Sequence, residues 1–327
     1  DHARRPGRGD PRGVGVPLTA PQPAVDLSGD PRRRRRERAM GLVFRGAALA
    51  SLLVSALIVG SLAANAVEFA AEVDWGRVLA NDAWNPRRGR FSISTLLVGS
   101  LVVTGVAMAV AVPLGLGAAV YLSEYARPRV RAVLKPVLEV LAGIPSVVLG
   151  VFALTWIAPE VVGTLFGERE GRTGSMLAAG IGVGILTIPL MASVSEDAMR
   201  AVPSALREAS AGLGARRMTT TLRVVLPAAV SGIVAAAVLA ASRAIGETMV
   251  VFIAGGAADS ATFTANPLDG SLTMTAAMAS LATGTDGVRA DALAVPALYF
   301  VGIVLFALTL GLNLIADRFV RRVRQAY

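Results

Sequence analysis

The chain has 327 residues, 54% of them hydrophobic and 5% aromatic, with a formal net charge of +9. Its apolar residues stand in long blocks with the polar residues collected between them, which is the layout of membrane spans and not of a water-soluble core. The arginines flank those blocks without interleaved aromatics, which argues against a nucleic-acid surface. The lack of cysteine and the single histidine, His2, exclude disulfides, thiolate metal sites and histidine-based catalysis.

Residues 1–45 are rich in Pro, Gly and Arg, show no apolar period, and close on Arg32–Arg36, Glu37 and Arg38. That composition predicts a disordered basic tail on the cytoplasmic side. Six apolar segments follow, near 46–67, 95–122, 137–158, 175–194, 226–254 and 295–317, each long enough for a helix to cross ~30 Å of hydrocarbon. The first resembles a signal peptide, with Arg45, an apolar core and Ala64-Asn65-Ala66. The 45 residues ahead of it are too many for a secretory n-region, so an uncleaved span is expected.

Short basic loops resist translocation, so orientation follows from the Lys and Arg count on each side. With the N-terminus inside, segments 1–45, 124–135, 195–224 and 318–327 hold 24, while 68–94, 159–174 and 255–292 hold 7. Both termini are therefore expected in the cytoplasm. The longest outer loop, 255–292, carries Asp259, Asp269, Asp286 and Asp291 with only Arg289, and is expected to be a solvated surface.

Pro113, Pro145 and Pro189 interrupt the spans, which also hold Gly115, Gly117, Gly180, Gly182 and Gly184. Two readings stay open. Small residues let helix backbones pack closely, and bent helices line pathways in transporters.

Between the fourth and fifth spans the loop reads Glu208-Ala209-Ser210, three residues, Gly214, nine residues, then Val224-Val225-Leu226-Pro227. A short amphipathic helix there would present small residues to a partner's cleft, with Gly214 free to make a sharp turn. This spacing resembles the EAA loop of ATP-binding-cassette (ABC) importer permeases, with Ser210 and Val224 at tolerant positions. The resemblance implies an ATPase-coupling role for Glu208, Ala209, Ser210, Gly214, Leu226 and Pro227. Arg216, Arg217 and Arg223 either pair with a partner's acids or hold the loop on its side of the membrane.

The fifth apolar segment contains Ser242-Arg243-Ala244-Ile245-Gly246-Glu247-Thr248-Met249-Val250. On a continuous helix Arg243 and Glu247 share one face. Each charge alone costs on the order of 3 kcal/mol at mid-membrane, so neither is expected to face lipid. A packing ion pair and a pathway element that meets a passing oxyanion are both consistent with this spacing.

This stretch, with Ala142-Gly143-Ile144-Pro145-Ser146-Val147-Val148 and the Trp84 to Gly99 approach to the second span, resembles phosphate importer permeases of the PstC type over roughly residues 75–327. The tail and an acidic insertion near 256–270 fall outside the likeness. The resemblance implies an all-α, polytopic membrane protein of about six transmembrane helices, similar to the ABC importer permease (MetI-like) fold, with 46–327 as the permease domain and 195–225 as its coupling loop. It implies translocation of inorganic phosphate across the inner membrane, with Arg243 and Glu247 in the pathway and no cofactor. The implied partners are a homologous PstA-like permease, two cytosolic PstB-like ATPases and an extracytoplasmic PstS-like phosphate-binding protein. Lys135, the one lysine, lies between Leu134 and Pro136, so the chain has no phosphate-binding loop of its own. The rival readings are a permease for molybdate or sulfate, a membrane component of phosphate sensing, and an intramembrane enzyme, for which the chain offers little chemistry.

Overall fold

The computed structural model describes residues 31–80, 83–167, 174–257, 260–284 and 293–324. The chain divides into two units, 1–57 and 58–327. In the first, the described residues form the leading part of helix α1 (Pro31–Glu72). Leu42, Phe44, Leu49, Leu53 and Leu57 are exposed along it, an apolar surface that suits lipid. Residues 31–45 are thus helical, although the sequence reading placed them in a disordered tail. Arg, Glu, Ala and Met are good helix formers, and a preformed span lets the helix propagate backwards without a new nucleus. Residues 1–30 of the expected tail lie outside the described residues.

In the second unit α2 (Trp75–Ala80) leads into strands β1 (Ala83–Asn85) and β2 (Arg90–Phe91). Helices α3 (Ile93–Tyr125), α4 (Pro128–Leu141), α5 (Ser146–Phe166) and α6 (Met176–Arg200) follow. The rest comprises α7 (Ser204–Gly212), α8 (Arg217–Ile245), α9 (Met249–Ala254), strand β3 (Ala261–Thr262), α10 (Met274–Thr283) and α11 (Ala294–Arg324). Six of the helices are long and apolar enough to cross a membrane, in α1, α3, α5, α6, α8 and α11.

Three expectations need correction. The third span does not run over 137–158. Proline disfavours the α conformation in the residue before it, so the chain breaks at Ala142–Ile144. Pro145 then stands at φ −58°, ψ 131° as the residue that caps α5. Residues 137–141 instead finish α4, a separate amphipathic helix with no fully buried residue. The fifth segment, expected over 226–254, is also two helices, because α8 stops at Ile245 and α9 starts at Met249.

The third correction concerns 255–292, expected as a solvated loop. Its apolar run 272–283, flanked by aspartates, is too short to span and forms α10, with Met274, Ala276, Ala277, Ser280 and Leu281 buried. Ser100 Oγ of α3 accepts a 2.9 Å hydrogen bond from the Met274 amide, and Thr273 Oγ accepts from the Ala276 amide, so the start of α10 is held from both sides. Asp269 is exposed, and Asp259, Asp286, Asp291 and Arg289 lie outside the described residues.

The centre of the unit is the pairing of α3 with α6. A Cβ added at Gly180 would stand 2.6 Å from Val106, at Gly184 2.9 Å from Val110, and at Gly115 2.8 Å from Met191. These glycines are the contact that lets the two backbones close. Gly182 does the same toward Ala153 and Val250, 3.0 Å from each, whereas Gly117 faces open space. Pro113 and Pro189 stay inside their helices. Over one end lies the antiparallel sheet β2-β1-β3, with Trp84 opposite Phe91 and Ala261. Its Trp84 and Phe91 join Phe69 and Phe300 in a cluster of edge-on and tilted rings, 5.1 to 5.7 Å between centroids.

Candidate functional site

A cavity of about 790 Å³ lies among α4, α6, α8 and the break that follows α8. Its polar lining is Arg243 and Ser242 from the last turn of α8, Glu247 from the break, Ser193 from α6 and Glu139 from α4; Leu186, Pro189, Leu190 and Leu239 supply apolar walls. The sequence brings Arg243 and Glu247 to one cavity, but not through a shared helical face. α8 ends two residues before Glu247, whose carboxylate turns to the next helix and accepts from the Met249 and Val250 amides at 3.2 and 3.5 Å. Among the described residues Arg243 is exposed and in no ion pair.

The break itself is held by residues that sequence reasoning missed. Thr275 of α10 donates to the Glu247 carbonyl at 2.8 Å, and Ser242 donates to Asn313 of α11 at 3.0 Å. An unpaired guanidinium keeps five N–H donors in a planar fork, which suits a tetrahedral oxyanion. The serine hydroxyl of Ser193 adds a donor nearby, and the Glu247 carboxylate is fixed by backbone amides instead of neutralising the arginine.

At the end of the unit where α6 finishes, α7 holds the Glu208-Ala209-Ser210 motif. Glu208 and Ala209 are exposed, while Ser210 is buried with its hydroxyl 2.8 Å from that of Thr220. Gly214 has φ +77°, a left-handed turn that glycine adopts without strain. Leu226 and Pro227 are half-buried where α8 enters its apolar stretch. Leu206, Leu213 and Met218 are exposed around the motif, Leu213 by 89%. Arg217 stacks over the Tyr125 ring at 5.7 Å.

Two ionic clusters tie this end together. Arg207 of α7 contacts Glu124 of α3 at 3.0 Å and donates to the Met199 and Val202 carbonyls at 2.8 and 2.6 Å. Glu196, fully buried in α6, meets Arg131 of α4 at 2.5 Å and Lys135 at 2.8 Å, and Lys135 reaches Asp197 at 2.8 Å as well. The hydrogen bonds that Lys135 donates to Asp197 and Glu196 raise its ammonium above the ordinary 10.5. The signal for these contacts was in the sequence. Arg131 and Lys135 recur at helical spacing, and an Glu-Asp pair closes an otherwise apolar span.

The model of the family described as binding-protein-dependent transport system inner membrane component matches residues 111–325. A Mycobacterium tuberculosis protein described as phosphate transport system permease protein PstC 1 is 33% identical over 290 residues, 81% of this chain and 84% of its own length. A second protein of that organism, phosphate transport system permease protein PstA 1, is 40% identical over 158 residues, 48% of each chain. Among solved structures, a bacterial alginate ABC transporter matches with TM-score 0.60 at 14% identity, over 88% of this chain and 97% of that one. A chain of the MetNI methionine ABC transporter matches with TM-score 0.50 at 20% identity, over 70% and 93%. With six apolar helices, a matched family model over most of its length and a shared fold, this chain belongs to the binding-protein-dependent transport system inner membrane components, the multi-pass permease subunits of ABC transporters.

Proposed function

We propose that this chain is the permease subunit of an ATP-driven importer of inorganic phosphate, with both termini in the cytoplasm. The observation that carries the proposal is the unpaired Arg243 in a cavity of about 790 Å³ between helices. An arginine at membrane depth without a carboxylate partner is costly unless water or a passing anion satisfies it. The names of the relatives, PstC and PstA phosphate permeases, support phosphate as that anion. The fold and the relatives support a complex with a PstA-like permease, two PstB-like ATPases and a PstS-like binding protein.

ATP is hydrolysed by the partner subunits, since Lys135 has the wrong neighbours for a phosphate-binding loop. Closure of the ATPases moves α7 through the Glu208–Gly214 surface. Arg207 passes that movement to α3 and α6, and the cavity walls on α6 and α8 shift, so that Arg243 meets the anion from one side and releases it to the other. Uptake of labelled phosphate and molybdate by cells with and without the gene tests the substrate. Loss of phosphate uptake alone is expected; unchanged phosphate uptake in cells lacking any second phosphate system would reject it.

A further inference from the structure

Helix α4 carries Arg131, Lys135 and Glu139 at successive four-residue steps, a single helical stripe. The first two members are consumed by the acids of α6: Arg131 and Lys135 clasp Glu196, and Lys135 also binds Asp197. These contacts fix α4 against α6 and so fix the position of the third member. Glu139 is exposed and, among the described residues, forms no ion pair or side-chain hydrogen bond. It lines two cavities at once. One is the Arg243 cavity; the other, of about 520 Å³, is lined by Arg131, Lys135 and Arg200 near the end that bears α7.

A carboxylate without a cation partner adds nothing evident to the fold, yet it stands where the two cavities share a wall. An anion that moves between them passes a fixed negative charge. At an effective dielectric of about 20, two like unit charges roughly 12 Å apart oppose each other enough to change an equilibrium about tenfold. That repulsion acts on an anion entering from the α7 side, where the guanidinium and ammonium groups of the second cavity would otherwise gather it.

We propose that Glu139 is a further pathway residue, which weakens the return of the transported oxyanion from the cytoplasmic side to Arg243. It hastens release into a compartment where the anion is already concentrated. This rests on the reading of Arg243 as the oxyanion contact and of the α7 end as cytoplasmic.

The test uses the whole complex in proteoliposomes, with binding protein outside, ATP inside and graded inorganic phosphate in the lumen, and follows the initial rate of labelled phosphate uptake. In Glu139→Gln the luminal phosphate that halves the rate, taken relative to that variant's own rate at zero luminal phosphate, is expected to fall about tenfold. Glu139→Ala should match it, and Glu139→Asp should stay near the parent. Equal half-inhibitory concentrations in parent and Glu139→Gln would overturn the proposal. So would loss of uptake by both neutral variants at zero luminal phosphate, because weakened rebinding from the lumen is not needed for forward passage. A parent complex that takes up no phosphate contradicts the proposed substrate instead. The same comparison then applies to the oxyanion it does carry, with the same overturning result.

Discussion

Arg207 in α7 holds Glu124 at the end of α3 while its other N–H groups hold the carbonyls of Met199 in the last turn of α6 and Val202 just beyond it. One guanidinium thereby joins the motif-bearing helix to the ends of two spans, and Glu124 is only 8% exposed. A rigid joint of this kind transmits displacement, since a fork with several bonded partners has one favourable geometry.

Replacing Arg207 by Ala should therefore leave the complex assembled but lower ATP-driven uptake about tenfold, as a contact worth roughly 1.4 kcal/mol is removed from the coupled state. Arg207→Lys should fall between, because an ammonium keeps the charge and loses the fork. ATP hydrolysis that continues while uptake falls is the expected signature; parallel loss of both activities would mean that α7 no longer binds its ATPase.

Arg243→Ala should abolish most uptake without loss of stability, because among the described residues the side chain has no ion-pair partner to leave behind. Arg243→Lys should not restore it, given the different geometry of an ammonium. Uptake assays beside thermal melts of the purified complex check both halves.

Gly180→Val should destabilise the α3–α6 contact by about 1–3 kcal/mol, the range for overpacking. The new Cβ meets the backbone-anchored Val106 Cβ at 2.6 Å, so a rotamer change cannot relieve it. Gly117→Ala, which faces open space, should be silent in the same melt.

The Lys135 ammonium, bound by Asp197 and Glu196, titrates above 10.5. A raised folded value means that its stabilisation is complete below 10.5, the unfolded value, and is lost as pH rises through the folded one. Melting temperatures of the parent and of Lys135→Met should therefore differ by a constant amount from neutral pH to about pH 9 and converge only at stronger alkali. Glu196→Gln should be worse, on the order of 3 kcal/mol, since it removes the buried carboxylate that holds Arg131 and leaves Lys135 with Asp197 alone.

Much of this was legible in the residues. The blocks of Ala, Val, Leu and Ile marked the spans, and the spacing from Glu208 to Pro227 marked the loop with its helix and its turn at Gly214; Arg243 and Glu247, expected on one helical face, instead line one cavity from either side of a break. The breaks were less legible. Pro145 was visible, but apolar composition on both sides of it hid that α4 and α5 are separate, and nothing in the hydropathy of 226–254 reveals that Gly246-Glu247-Thr248 leaves the helix. A short buried helix such as α10 is hidden for a different reason: burial inside protein needs no length, so it lacks the run that lipid demands. Glu196 and Arg207 act through partners distant in sequence, and spacing alone does not name a partner.

The central claim is that Arg243 faces a water-reached cavity on the anion path. The chain has no cysteine, so Ser193→Cys places a single thiol in this subunit, on the same cavity wall with Arg243 intact. In the assembled complex the rate at which a water-soluble thiol reagent labels it should be measurable and should fall as phosphate is added during turnover. Labelling by lipid-soluble reagents alone, or at a rate that phosphate never alters, would contradict the account.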